Sequence, residues 1–431
     1  MRIIKSICVV TLCVLSFNCQ NDDDNTTEIM DQIPDPELTD NVEVYVGNLI
    51  DNSYTLAVEN GGTKSYLLDK AGNRIKEWQF DDNLGNDLEL LSEGKLLGIF
   101  KSDNPSIAFG GYGGKVKIIN PDNSIDWEYE YSSEDYISHH DAELLPNGNI
   151  LFIVWEKIDA IEAQANGFVT SVPIYPETLI EINPSNNQVV WQWRSFDHLI
   201  QDLDNTLLNY GSVSENPQRI DCNFDIIDNG DIMHANGLDY DDEKDVIYLS
   251  VNYYSEIWVI DHSTTTAQAA TSNGGNYNKG GDLLYRFGNP SAYKNTEGTR
   301  LFYNNHFPNI LEDNEPGEGN ILVYNNGSNT AQSIVYELDM PNDFNLIPNA
   351  NNEPNIVWSF TDPDLFHGRV SGAVRLKNGN TLIAEGDYGF WEVTTDGSIV
   401  WKYNGIGVNF WRCYSYDLDD QEILDLNLDE E

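Results

Sequence analysis

Residues 143–154 read ELLPNGNILFIV, and this stretch decides the fold. Apolar residues flank an Asn-Gly pair, which tolerates positive φ and matches the twist of two antiparallel strands, so the stretch predicts a hairpin. The same phrase returns as ELLSEGKLLGIF at 89–100 and as VRLKNGNTLIAE at 374–385. A second phrase interleaves with it: an alternating strand, a polar turn and a strand ending in an aromatic. It is read in SYLLDKAGNRIKEWQF at 65–80, VKIINPDNSIDWEYE at 116–130, LIEINPSNNQVVWQW at 179–193 and FWEVTTDGSIVWKY at 390–403. DLLYRF at 282–287 and NIVWSF at 355–360 close two further units after longer loops. One aromatic per unit (Trp78, Trp127, Trp191, Tyr285, Trp358, Trp401) predicts an all-β, six-bladed β-propeller of roughly four-stranded antiparallel blades. At a fixed place in each repeat those aromatics are packing residues. A parallel β-solenoid would want shorter and more uniform repeats than these.

Ahead of the repeats, MRIIKSICVVTLCVLSFNC has a basic start, a short apolar run and a cysteine, the layout of a secretory signal too short to span a bilayer. Its LSFNC ending resembles the lipobox of bacterial lipoproteins, which makes Cys19 the expected lipid anchor, and the QNDDDN that follows is similar to an acidic surface-export signal. The expected organisation is a signal over 1–18, a lipidated acidic tether over 19–43, the propeller over 44–412 and an acidic tail over 413–431. Such a protein is tied to the outer membrane through lipid only, facing the cell surface or the periplasm. Cys222 and Cys413 then remain, as one disulfide or as two buried thiols. No CxxC or clustered Cys/His spacing points to structural zinc.

With 23 Lys and Arg against 71 Asp and Glu, the formal net charge is −48. That argues against a nucleic-acid partner, since phosphate contacts need clustered cations. An anionic substrate would have to meet a local positive field. Extra length falls at 158–177, 195–230, 262–281 and 288–304, in loops where a rigid scaffold often carries its function.

Aligning the units by their hairpin phrase puts His140, His234 and His306 at the start of the first strand of three consecutive units, with Asn86 and Ser371 at the same place in two others. In a propeller that strand lines the central channel, so the three imidazoles are expected to converge. His234 and Asn236 share one face of a strand by alternation, whereas His139 and Asp141 are offset from His140. A metal site is the other use of three histidines, but no carboxylate follows at a ligand spacing on the same face. His198, His262 and His367 are expected in surface loops or turns. Tyr210, Tyr253, Tyr254 and Tyr303 lie near the candidate strands, where they could stack on an aromatic ligand.

HHDAELLPNGNILFIVWEK at 139–157, HANGLDYDDEKDVIYLSVNYYSEIWVID at 234–261, NNHFPNI at 304–310 and the stretch 371–403 together resemble the bacterial PAPS-independent arylsulfate sulfotransferases. The resemblance implies transfer of a sulfuryl group between a phenolic sulfate donor and a phenolic acceptor through a sulfated histidine, with no cofactor. It implies His306 as the sulfated residue, His140 and His234 as supporting histidines and Asn236 as their asparagine partner. Asn252, Tyr254, Tyr303 and Ser371 are the expected substrate contacts. Two departures stand out. Asn252 occupies the place of the family's arginine, so the cation has to come from elsewhere, with Arg286, Arg369 and Arg375 as the candidates. Nor does the tether leave room for the separate amino-terminal β-domain of some members. The competing reading is a surface-displayed propeller that binds a ligand, glycan or cation without chemistry.

Overall fold

Turn chemistry and period-two alternation recur along the chain, and strand follows strand from Val42–Tyr45 to Phe410–Asp417 in the computed structural model, which describes residues 36–312 and 315–428. The predicted Asn-Gly turns are present: Gly148 and Gly379 sit at φ 80° and 89°, which a Cβ would disfavour. Among the described residues, helices are confined to short pieces such as Ala160–Ala165, Thr266–Ala269 and Gln421–Leu424.

The strands form an all-β, propeller-like arrangement of small antiparallel meanders. Ala235–Asp241 opens one four-stranded sheet and Asn305–Ile310 another. The largest sheet, of eight strands, is two four-stranded meanders joined by a single parallel pair, Asn86 against His140. The first and last described strands are both woven in. Val42–Tyr45 pairs with Ile399–Asn404 to make a fifth strand, and Phe410–Asp417 pairs with Ser53–Glu59. The boundaries drawn from sequence at 43 and 412 therefore both cut through a strand. The acidity around residues 417–431 hides the mostly buried FWRCYSYD that precedes it.

The unit-closing aromatics fasten neighbouring meanders. Trp127, Trp191, Trp358 and Trp401 donate their indole N–H to Asn187, Thr264, Thr395 and Lys70, each in the turn after the third strand of the next meander. Tyr285 makes the equivalent bond to the Asn352 carbonyl. Apolar side chains fill the wedges between sheets; Leu56, Trp78, Leu84, Leu88 and Phe100 form one such cluster. Each fully buried Leu there contributes about 1.5–3 kcal/mol relative to exposure. Cys222 and Cys413 are both free and buried, which settles the question left by their spacing in favour of two thiols. Residues 1–35, which carry the signal, Cys19 and most of the tether, lie outside the described residues.

Candidate functional site

Each candidate histidine sits where a strand breaks register. His140 has φ 58° and His234 φ 52°, and the pairing of their strands shifts beside them; His306 precedes Phe307 at φ 51°, where the third strand shifts. Positive φ in a non-glycine residue costs on the order of 1–3 kcal/mol, and such outliers cluster at functional sites. The bulges re-aim side chains that regular alternation would have dispersed. The result is a cavity of about 620 Å³ lined by His140, His234 and His306, with Asn252, Arg369 and Trp411 in its wall. The rings of His140 and His234 are 4.9 Å apart, and the Trp411 ring lies 5.7 Å from both His140 and His306.

His306 is held by one amide. Asn326 donates its Nδ2 to the carbonyls of His367 and Val370 at 2.7 and 2.9 Å, so its Oδ1 must face His306 Nδ1, 2.7 Å away. An amide oxygen only accepts, so His306 Nδ1 carries the proton and Nε2 keeps its lone pair. Burial is the main force holding this imidazole down to about 3; the Asn326 bond opposes it, and the His234 and Arg412 charges add to it. His306 is therefore a neutral, oriented imidazole at neutral pH, with Nε2 unprotonated. His234 is oriented differently, by Asp231 Oδ2 at 2.6 Å from its Nδ1, and it stacks on Tyr253 at 4.8 Å. His140 approaches Gly111 so closely that a Cβ there would fall 2.0 Å from Nε2. Burial, reinforced by the neighbouring histidines, holds His140 well below the usual imidazole range.

The three arginine candidates separate clearly. Arg286 is fully buried against Glu256, and Arg375 is buried against Glu337. Arg369 is exposed at the cavity wall, and among the described residues no carboxylate pairs with it. Its loop is stitched to the site, because the backbone N–H groups of Arg369 and Val370 both donate to His367 Nδ1. Asn252 also lines the cavity, its amide spanning the Asn305 carbonyl at 3.1 Å and the Asn304 side chain at 2.8 Å.

Four expected residues lie elsewhere. Asn236 is fully buried and spends its Nδ2 on the Asn305 carbonyl, because the register break beside it turns it away from the face of His234. Tyr254 is buried under Phe224 and Trp258 with its hydroxyl on the Asp221 carbonyl; its neighbour Tyr253 is the cavity residue. Tyr303 stacks under Arg300, and Ser371 accepts from the Gly386 N–H, neither of them lining the cavity. Tyr210 is 54% exposed in its loop. Among the other histidines, His198 is buried on Asp282 and the Ala269 carbonyl, and His262 bridges Glu181 and Asp245. His367 belongs to the cavity.

Sequence reasoning missed Asn326, His367, Trp411, His139 and Glu177. Trp411 carried a signal, an aromatic in an alternating run after the last repeat; the others acquire meaning only from neighbours far away in the chain. The acidic trio Asp417, Asp419 and Asp420 has metal-ligand spacing, but the Lys377 ammonium already sits among its oxygens. Below the cavity, Arg412 is fully buried, bonding Asp87 at 3.2 Å, Asp141 at 2.9 Å and the Asn236 carbonyl at 2.9 Å.

Among solved structures, the chain is similar to a Bacteroides caccae protein of unknown function at 12% identity, covering 84% of this chain and 98% of that one with a TM-score of 0.47. A luciferin-regenerating enzyme is 12% identical over 86% of this chain and 98% of its own, with a TM-score of 0.35. The Dos1 propeller is 11% identical over 82% and 67%, with a TM-score of 0.32. Likenesses of this degree say nothing about the site. No curated protein matches the sequence. The family model of the arylsulfotransferases (ASST) matches residues 42–404, most of the chain, and the protein accordingly belongs to that family of sulfotransferases.

Proposed function

We propose that this protein moves a sulfuryl group from a phenolic sulfate ester to a phenolic acceptor through a sulfated His306. Family membership supplies the reaction class, an aryl sulfate donor and a phenolic acceptor. The observation that carries the nucleophile is the Asn326 clamp on His306 Nδ1, which leaves the Nε2 lone pair free. Nε2 attacks sulfur as the bond to the phenolic oxygen breaks, and the departing phenolate, the conjugate base of an acid of pKa about 10, takes a proton from a neighbouring histidine. The acceptor phenol then gives up its proton, its oxygen bonds to sulfur, and the S–N bond to His306 breaks. Fixed donors around the sulfuryl oxygens supply most of the catalysis in such a transfer. Arg369 is the cation that meets those oxygens in place of the family's arginine, and Asn252 is a neutral donor beside it. Tyr253, stacked on His234, offers a face for the aryl ring.

The wider reading has three further parts. The chain forms six blades, a count supported by the recurring four-strand order and by the aromatic that fastens each meander to the next turn. Residues 1–18 act as a lipoprotein signal and Cys19 carries the lipid, a reading that rests on the sequence motif. The protein is anchored to the outer membrane by that lipid; no helix among the described residues is long and apolar enough to cross a bilayer.

Intact mass after brief incubation with an activated aryl sulfate tests the chemistry. The expected result is a gain of one sulfuryl group, discharged by added phenol and absent in His306→Ala. A folded protein that gains no mass from any of several donors is a binding propeller instead.

A further inference from the structure

Neighbouring side chains in a regular strand point to opposite faces. His139 and His140 escape that rule because the strand shifts register between His139 and Ala142, with His140 itself at φ 58°, and their Nδ1 atoms meet at 2.7 Å. From His139 the line continues inward: its Nε2 is 2.9 Å from Glu177 Oε2, and Glu177 Oε1 accepts the Ala235 N–H at 2.7 Å. Glu177 and His139 are 0% exposed and His140 3%. His139 lies flat on Trp155, 3.6 Å between ring centres, which holds its ring plane. Among the described residues the Glu177 carboxyl has no Lys or Arg partner.

A hydrogen bond between two ring nitrogens needs a proton on one and a lone pair on the other. Two arrangements satisfy the whole line. With Glu177 ionised, His139 donates Nε2–H to it and accepts His140 Nδ1–H, so His140 Nε2 presents a lone pair to the cavity. With Glu177 protonated, its O–H donates to His139 Nε2, His139 Nδ1–H donates to His140 Nδ1, and His140 Nε2–H faces the cavity as an acid.

We propose that Glu177, His139 and His140 form a buried proton relay that makes His140 the acid of the first half-reaction and the base of the second, with Glu177 storing the absence or presence of the proton between them. The proposal rests on the sulfotransferase reading above. In the first half, the His306 Nε2–S bond forms, the S–O bond to the aryl group breaks, and the phenolate oxygen takes the His140 Nε2 proton. The His139 Nδ1 proton moves to His140 Nδ1, the Glu177 proton moves to His139 Nε2, and Glu177 is left ionised. The second half reverses every transfer: the acceptor O–H gives its proton to His140 Nε2, the O–S bond forms, and His306 leaves with its lone pair. The negative charge that enters on the sulfate ester is thereby passed to Glu177 and back, so the enclosed site keeps the same net charge throughout.

The surroundings suit both arrangements. Burial, then repulsion from Asp231, raises the Glu177 carboxyl well above the usual range, while the Ala235 N–H lowers it and keeps the ionised form within reach. His139 is held well below the ordinary imidazole range by burial and then by His234; His140 by burial and then by His234, His139, His306 and Arg412. Both rings therefore pass a proton without accumulating one. His234, bonded to its own Asp231, stands outside the relay. His140 is the catalytic residue; His139 and Glu177 are positioning residues that act through it.

Glu177→Gln tests this in the full protein with 4-nitrophenyl sulfate as donor and phenol as acceptor. The Ala235 N–H claims the amide oxygen, so the amide NH₂ faces His139 Nε2 and freezes His140 in its acid form. Nitrophenolate leaves without a proton, so the variant should release one equivalent and gain one sulfuryl group. Discharge to phenol should then slow about 10²-fold or more, the scale of general acid–base catalysis. His139→Phe keeps a ring on Trp155, breaks the line, and should stall in the same way; it decides the matter if Glu177→Gln does not fold. Normal loading and normal discharge in the variants overturn the relay. Equal slowing of both halves also overturns it, leaving Glu177 a structural role. A wild-type protein that neither loads nor discharges overturns the sulfotransferase reading itself.

Discussion

Replacing Arg369 with Gln removes the one Lys or Arg among the described residues that lines the cavity, in a chain whose net charge is −48. Asp231, the lining carboxylate, is bonded to His234 at 2.6 Å, so Arg369 is free to meet an anion. A hydrogen bond to a charged group contributes about 1.5–3 kcal/mol. Arg369 is exposed, and solvent and salt screen such charges, so the low end applies, about 1.5–2 kcal/mol. At about 1.4 kcal/mol per tenfold, kcat/KM for an aryl sulfate should fall roughly 10- to 30-fold. Steady-state release of the phenol at low and high salt measures it, and the wild-type salt dependence should flatten in the variant. Adding Asn252→Arg to Arg369→Gln should restore part of the loss, because position 252 faces the same cavity. An unchanged kcat/KM and an unchanged salt dependence in Arg369→Gln would refute the assignment of the charge.

Two other outcomes follow from burial. Arg412→Leu strands Asp87 and Asp141 in the interior and should cost about 3–5 kcal/mol in urea unfolding, with much of it recovered when both aspartates become Asn; a loss too small to measure would mean the pair relaxes into water. The His306 imidazole is depressed from 6.5 to about 3, chiefly by burial, so its neutral state contributes stability above the ordinary imidazole range and loses it as pH falls from 6.5 toward 3. Activity should accordingly persist at about pH 5, where an exposed histidine would already be protonated, and His306→Phe should flatten the acid limb of stability against pH.

Much of the site was legible because a repeat gives a register. The hairpin phrase aligned His140, His234 and His306 although 94 and then 72 residues separate them, counted from positions 140, 234 and 306. Alternation then misled at the bulges. It sent His139 away from His140 and put Asn236 beside His234, because a strand drawn from sequence keeps its period through a register shift that only pairing partners reveal. The tyrosines show the same error one residue wide: Tyr254 was expected, and Tyr253 faces the cavity.

Composition and pattern alone determined the all-β class, the repeat, the strands and turns, and the three histidines that meet at the cavity, since these depend on local propensity and on a period the chain writes out repeatedly. Which nitrogen of His306 is free, which arginine reaches the wall, and that Glu177 stands behind His140 were decided only by the tertiary structure. Each depends on a contact between residues 20 to more than 200 positions apart, such as Asn326 with His306 and Arg369 in one cavity with His140. Hydrogen-bond direction and charge at such contacts come from where the sheets stand side by side, and no local rule in the sequence encodes that.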